Sequence, residues 1–171
     1  MKKLSFTLVL VLFCMVLFAQ DESESVPTPD FIDQPMLWDK TSDTLIRLSK
    51  ESYEMKGKIG KMLYKFEGLQ STSRINSDSD FSFLISTSST MMISGAKLYI
   101  LKEGKKKKRE VLAMQVKGFG SASVQQNSET EISFDLKKIK DDVYELVVTK
   151  SLEKGEYAFV IGMNGFTFGI D

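Results

Sequence analysis

The last 29 residues, Val143 to Asp171, carry the clearest structural signal in the chain. Large apolar residues recur there at every second position in three consecutive segments, Val143–Thr149, Glu156–Met163 and Phe166–Ile170. This alternation is typical of strands that bury one face. Asn164-Gly165 separates the last two segments and favours a tight type I′ turn, because both residues tolerate positive φ. The sequence therefore predicts a three-stranded antiparallel meander.

The amino-terminal residues have the pattern of a secretory signal peptide. Lys2 and Lys3 precede a nearly unbroken apolar run from Phe6 to Ala19, and polar residues start at Gln20. This pattern predicts cleavage between Ala19 and Gln20, so that residues 1–19 are removed. We therefore expect an exported protein that is periplasmic or extracellular.

Two other interpretations of the apolar run are a membrane anchor and a lipidated Cys14. The run is shorter than the roughly 20 apolar residues that span a membrane, so we expect no transmembrane segment in the mature chain. Phe13 is bulky where a lipobox requires a small residue, which leaves Cys14 as an ordinary residue of the apolar run.

The charge and residue types of the mature chain exclude several classes of function. Of 23 basic and 23 acidic residues, cleavage removes two lysines and no acid, so 21 and 23 remain and no long-range attraction to nucleic acid is expected. The chain has no histidine, and Cys14 is its single cysteine. Ser-His-Asp and Cys-His nucleophiles, disulfides and the usual zinc and copper sites therefore cannot form. We expect no catalytic residue, no metal and no other cofactor.

The mature chain divides into a leader and one domain. Residues 20–35 are acidic and contain all three prolines, which is typical of a flexible leader. About 150 residues remain after cleavage, which suits one domain with its own core, and we place that domain at residues 36–171. It begins with two short apolar runs around a polar turn, which predict a hairpin of Met36–Asp39 with Thr44–Leu48.

The rest of the domain reads as strands. A helix over Ser49–Phe66 is the alternative to a strand at Tyr53–Ile59, but Gly57 and Gly60 disfavour it by about 1 kcal/mol each. Further strands are predicted at Met62–Phe66, Phe81–Ile85, Ala96–Leu101, Glu110–Val116 and Ile132–Leu136. Loops are predicted at Gly118–Ser128 and at Gly68–Asp80, the latter around a short segment at Arg74–Ile75. The sequence thus predicts an all-β protein, an antiparallel immunoglobulin-like β-sandwich of about nine to eleven strands.

Five adjacent cations lie at the tip of the predicted central hairpin and are the candidate binding residues: Lys105, Lys106, Lys107, Lys108 and Arg109. Adjacent cations on one loop focus a local field that attracts an anionic lipid head group, an acidic glycan or another polyanion. A charged tip also prevents pairing between sheet edges and aids solubility. Both interpretations stay open on sequence alone.

The acidic residues indicate no particular chemistry. Asn76 to Asp80 place oxygen ligands at alternate positions as a calcium loop begins, but Phe81 and Thr87 occupy the positions that require glycine and glutamate. A glycosidase needs only two carboxylates, yet nothing in the spacing of the acids selects a pair.

The segment Leu152-Glu153-Lys154-Gly155-Glu156-Tyr157-Ala158-Phe159 resembles the Leu-x-x-Gly-x-Tyr corner of immunoglobulin-like sandwiches, with Tyr157 as the corner tyrosine. Together with Arg74-Ile75, the lysine-rich hairpin and Phe168-Gly169-Ile170-Asp171, it is similar to small exported bacterial proteins of unknown function. The resemblance covers Met36 to Asp171 and implies a fold without an active site.

These observations favour an exported, non-enzymatic binding or structural protein of the bacterial cell envelope. Its partner would be another envelope protein or an anionic envelope component. One alternative is a β-barrel that carries an apolar ligand, since 12 phenylalanines and 9 methionines could line it. The other is a carboxylate-based enzyme that acts on glycans.

Overall fold

The described part of the chain is all-β with one short helix. The computed structural model describes residues 26–58, 60–117, 123–126 and 129–171. The predicted signal peptide, its predicted cleavage site between Ala19 and Gln20, and Cys14 lie outside the described residues. The strands are β1 Met36–Asp39, β2 Thr44–Arg47, β3 Ser49–Glu51, β4 Tyr53–Lys58, β5 Lys61–Glu67, β6 Arg74–Ile75, β7 Phe81–Ser86, β8 Lys97–Glu103, β9 Lys108–Lys117, β10 Ser123–Gln126, β11 Glu131–Ile132, β12 Phe134–Lys140, β13 Val143–Val148, β14 Gly155–Ile161 and β15 Asn164–Ile170.

The helix α1, Thr90–Ser94, connects β7 to β8 and buries Ile93. Within the described ranges, no helix is long and apolar enough to cross a membrane.

The strands form two sheets. The five-stranded sheet has the order β12-β13-β7-β1-β2, and the ten-stranded sheet has the order β3-β15-β14-β8-β9-β5-β4. In the ten-stranded sheet β10 pairs with β9, β11 with β8, and β6 with β15. Every pair of strands is antiparallel except β6 with β15. The predicted all-β antiparallel class is confirmed.

Most of the predicted strands are present. The first hairpin pairs Met36 with Arg47 and Asp39 with Thr44. The segment that was ambiguous between helix and strand is the strand β4, which pairs along its length with β5, while Ile59 lies outside the described residues. The predicted loop Gly118–Ser128 contains β10, and its other residues also lie outside them.

The carboxyl-terminal hairpin turns at a different place from the predicted one. Ile161 pairs with Asn164, so the two turn residues are Gly162 and Met163. Gly162 has a φ of 58°, which suits glycine at the first position of a type II′ turn. The prediction of a turn at Asn164-Gly165 is therefore wrong, and both residues belong to β15.

The predicted meander also divides between the two sheets. β14 and β15 pair in the ten-stranded sheet, whereas β13 pairs with β7 in the five-stranded sheet. The predicted strand around Ile132–Leu136 divides in the same way, because Ile132 pairs with β8 and Phe134 starts the pairing of β12 with β13. The chain thus crosses between the sheets at Ser133 and again after Val148.

The main core lies between the two sheets. The five-stranded sheet contributes Leu37, Phe83, Ile85 and Leu146, and the ten-stranded sheet contributes Leu98, Ile132, Tyr157, Phe159, Ile161, Phe166, Phe168 and Ile170. Phe83 contacts the rings of Phe159 and Phe168 at centroid distances of 5.0 Å. These side chains fill the space between the sheets, as in a sandwich.

A second core lies on the other side of β8 and β14. Ala158 and Val160 of β14 pack there with Phe66 of β5 and Val111 of β9. The ten-stranded sheet therefore folds over, so that β4, β5 and β9 cover the outer face of β8 and β14. The two central strands are buried on both faces, and the molecule has three layers.

Part of the predicted leader contacts the domain. The N–H of Asp33 donates to the Ser86 carbonyl at 2.7 Å, and its carboxylate accepts from the Thr87 hydroxyl at 2.6 Å. The guanidinium of Arg47 lies 4.1 Å from the Phe31 ring centroid, and Pro29 is buried. Residues in the second half of the predicted leader therefore contact the five-stranded sheet.

Candidate functional site

The five candidate cations lie around the turn between β8 and β9. The Gly104 N–H donates to the Lys108 carbonyl at 2.8 Å and closes this turn. Lys106 and Lys107 both have left-handed backbone conformations, with φ of 63° and 55°. Such conformations cost a non-glycine residue roughly 1 kcal/mol or more. The tip is thus a tight turn in which two lysines hold a left-handed backbone conformation that lysine does not favour.

Lys105, Lys106 and Lys107 are exposed at this turn. None of the three forms an ion pair with another side chain in the part of the chain that the structure describes. We call these three residues the lysine tip. Their ammonium groups are available to a partner in solvent.

Lys108 differs from the lysine tip because it is paired. Its ammonium lies 2.5 Å from a carboxylate oxygen of Glu67 and 3.5 Å from one of Glu54. The hydrogen bond that Lys108 donates to Glu67 raises the pKa of Lys108. Two acids already compensate its charge, so it adds little attraction for an external anion.

Arg109 is in the interior, with 1% of its surface exposed. Its guanidinium donates to Glu51 at 2.6 Å and to Glu156 at 3.2 Å. It also donates to the carbonyls of Glu67 at 2.9 Å and Gly68 at 3.3 Å. A buried, fully engaged guanidinium cannot contact an external partner, so the structure separates Arg109 from the lysine tip.

Arg109 belongs to a wider polar cluster on the outer face of β15. Glu51 accepts from the Thr167 hydroxyl at 2.5 Å, and Glu156 accepts from the Ser71 N–H at 2.7 Å and from the guanidinium of Arg74. We call Glu51, Arg74, Arg109 and Glu156 the arginine cluster. It joins four strands, β3, β6, β9 and β14, through side chains.

Arg74 extends the arginine cluster to the end of the chain. Its guanidinium also forms a two-bond contact with the Asp171 carboxylate. This hydrogen-bonded pairing lowers the pKa of Asp171 and raises that of Arg74. A side chain at Gly169 would collide with the Arg74 guanidinium, so only glycine allows this close approach.

The arginine cluster is suited to stability, not to acid-base catalysis. A glycosidase needs one carboxyl group that carries a proton to the leaving group. Here both oxygens of Glu51 and both oxygens of Glu156 accept hydrogen bonds, and an arginine faces each carboxylate. The oxygens of both carboxylates are thus already occupied by donors from the protein itself.

The sequence contains a signal for Arg109 that the charge run obscures. Arg109, Val111 and Ala113 lie on one face of β9, and the latter two are 2% and 0% exposed. Because side chains alternate along a strand, this period places Arg109 on the buried face as well. No comparable signal marks Glu51, Arg74 or Glu156, which come together only through the pairing of distant strands.

No family model, no curated protein and no solved structure matches this chain.

Proposed function

We propose that this protein is an exported, non-enzymatic binding domain of the bacterial cell envelope, and that it binds an anionic envelope component through the lysine tip. The lysine tip carries this proposal, because its three exposed lysines form no ion pair with any described residue, whereas the neighbouring cations Lys108 and Arg109 are paired or buried. Cations at a negatively charged membrane surface contribute about 1 kcal/mol each. Three lysines would together raise the affinity for such a surface by about two orders of magnitude.

The backbone of the tip supports the same proposal. Left-handed residues with bulky side chains are uncommon and concentrate at functional sites. Lys106 and Lys107 hold this conformation at the outermost point of a hairpin, where no packing requires lysine.

The export part of the proposal is supported by the amino-terminal sequence pattern. The non-enzymatic part is supported by the absence of histidine and by the saturated carboxylates of the arginine cluster.

The test is co-sedimentation with vesicles of equal parts phosphatidylglycerol and phosphatidylcholine. The mature protein should sediment with them at low salt and dissociate as salt shortens the Debye length from about 10 Å at 0.1 M to 3 Å at 1 M. The variant K105Q/K106Q/K107Q should lose binding about 100-fold. The control K50Q/K61Q/K154Q removes three exposed lysines from other surfaces and should retain most of it.

Two results would contradict the proposal. One is an absence of sedimentation by the parent protein at low salt. The other is an equal loss in both triple variants, because this would make net charge the cause instead of the tip.

A further inference from the structure

The five-stranded sheet opens at one end, between β7 and β13. Their pairing runs from Val143 with Ser86 to Leu146 with Phe83. β7 starts two residues earlier, at Phe81, and β13 continues to Val148, yet these ends do not pair with each other. A cavity of about 330 Å³ lies between the separated ends. We call it the β7–β13 cleft.

Apolar side chains line most of the cleft. They come from β7, from β13 and from the segment that leaves β13: Phe81, Phe83, Leu146, Val147, Val148 and Leu152. Small-molecule sites typically have volumes of 300–1,000 Å³ and mostly apolar walls with a few polar groups. The β7–β13 cleft lies at the small end of this range, which fits one slender apolar group.

The charged residues of the cleft are two cations and one acid. Lys150 is exposed, and the ammonium of Lys40 lies 3.8 Å from Asp80, a long distance for an ion pair. The acid, Glu145, lies 3.7 Å from the ammonium of Lys137. The cations of the cleft thus exceed its acids, which favours an anionic ligand.

Backbone polar groups also face the gap between the two strands. The Thr87 N–H donates to the Asp142 carbonyl at 2.8 Å. In an antiparallel pair, the residues whose backbone groups face the partner strand recur at every second position. Counted from Thr87 and Asp142, this places the N–H and C=O groups of Phe81 and Val148 toward each other across the gap.

We infer that the β7–β13 cleft binds a small amphipathic anion, an unbranched alkyl chain that ends in a carboxylate. The alkyl chain lies against Phe81, Val148 and Leu152. The carboxylate lies at the rim, where Lys40 and Lys150 supply charge. No residue of the cleft belongs to the lysine tip, so this site is independent of the proposed membrane contact.

The first experiment uses the mature protein with decanoate below its micelle concentration. Decanoate should raise the melting temperature, because a ligand that binds only the folded state stabilises it. In two-dimensional NMR it should shift the backbone amides of Phe81, Ser82 and Val148 more than those of other strands. Decanol, which has the same chain without the charge, should bind more weakly.

The second experiment uses variants. K40Q/K150Q should weaken decanoate binding roughly tenfold, as expected for two partly exposed ion pairs. K50Q/K61Q removes the same charge outside the cleft and should bind like the parent protein. V148W should block the cleft, and L152W provides a second blocked variant whose residue lies outside the strands.

Three results would overturn the inference. They are an absence of amide shifts in Phe81, Ser82 and Val148 of the parent protein, an equal loss of affinity in K40Q/K150Q and K50Q/K61Q, and equal affinities for decanol and decanoate. An extended peptide that shifts these amides where decanoate does not would assign the cleft to strand addition instead.

Discussion

At the scale of single residues, Arg109 illustrates how one buried charge organises its surroundings. Its guanidinium donates to two carboxylates and two carbonyls from separate parts of the chain. Removing one partner of a buried ion pair leaves the other charge in the interior without compensation. The cost of losing Arg109 therefore includes the burial of Glu51 and Glu156 without their shared partner.

The variant Arg109→Gln should lower the free energy of unfolding by about 3–5 kcal/mol, measured by urea denaturation. Arg109→Lys should recover only part of this loss, because an ammonium cannot reproduce the planar fork of the guanidinium. The neighbouring variant Lys108→Gln serves as the control and should change stability far less, since Glu54 and Glu67 remain in contact with solvent. Equal losses for both positions would show that the arginine cluster is not a special contributor.

At the scale of elements, the turn that carries the lysine tip combines a tight hairpin with unfavourable backbone conformations. Lys106 has a φ of 63°, a region in which glycine has no steric penalty. The turn type is set by the pairing of Glu103 with Arg109 and by the Gly104 N–H bond to Lys108, not by the lysine side chains.

Lys106→Gly should therefore stabilise the protein by about 1 kcal/mol relative to Lys106→Ala, because only glycine relieves the left-handed strain. The two variants remove the same charge, so the comparison isolates the backbone from electrostatics. Urea denaturation of both measures the difference. A more stable alanine variant would show that this turn relaxes when lysine is absent.

The strands themselves could largely be predicted from the sequence, while their pairing could not. The recurrence of apolar residues at every second position marks which residues share a face of a strand. It placed Tyr157 and Phe168 correctly on the side of the main core. It does not distinguish registers that differ by an even number of residues, because the same faces then point inward. Phe159 pairs with Phe166, whereas a turn at Asn164-Gly165 would have paired it with Ile170.

The candidate site was only partly predictable for a related reason. The exposed lysine tip follows from composition and a turn signal, both of which are local. The arginine cluster joins Arg109 to Glu51 and Glu156 across 58 and 47 residues. The β7–β13 cleft arises where two strands stop pairing. Such features depend on long-range topology, which hydrophobic period does not encode.

At the scale of the whole molecule, contacts of the five-stranded sheet extend further toward the amino terminus than residue 36. Asp33 and Phe31 connect the preceding segment to the five-stranded sheet. Lys140 also donates to the carbonyl of Val26 at 2.8 Å. A mature chain without residues 20–35 should therefore lose about 2–4 kcal/mol of unfolding free energy, the sum of several such contacts.

The control for this deletion lacks only residues 20–25 and keeps each of those contacts. Its thermal and urea transitions should match those of the mature chain, with and without reductant, because the mature chain contains no cysteine. Equal stability of the two deletion variants would show that residues 26–35 do not stabilise the domain.

The third layer is a whole-molecule feature that the sequence indicated faintly. Tyr157-Ala158-Phe159-Val160-Ile161 is an unbroken apolar run, which is typical of a strand covered on both faces. The stronger alternation of neighbouring segments suggested one buried face and a two-layer molecule. Covering both faces of β14 required the ten-stranded sheet to fold over, which no local pattern predicts.

The double burial of β14 also limits how the protein can change over generations. Ala158 and Phe159 are adjacent in the chain but pack in different cores. A substitution that shifts the strand to suit one core displaces the side chains of the other, so that a compensating change on one side does not restore the second. Neutral drift should therefore be slowest in this strand and fastest at the exposed edges, where a new side chain has a single environment to satisfy.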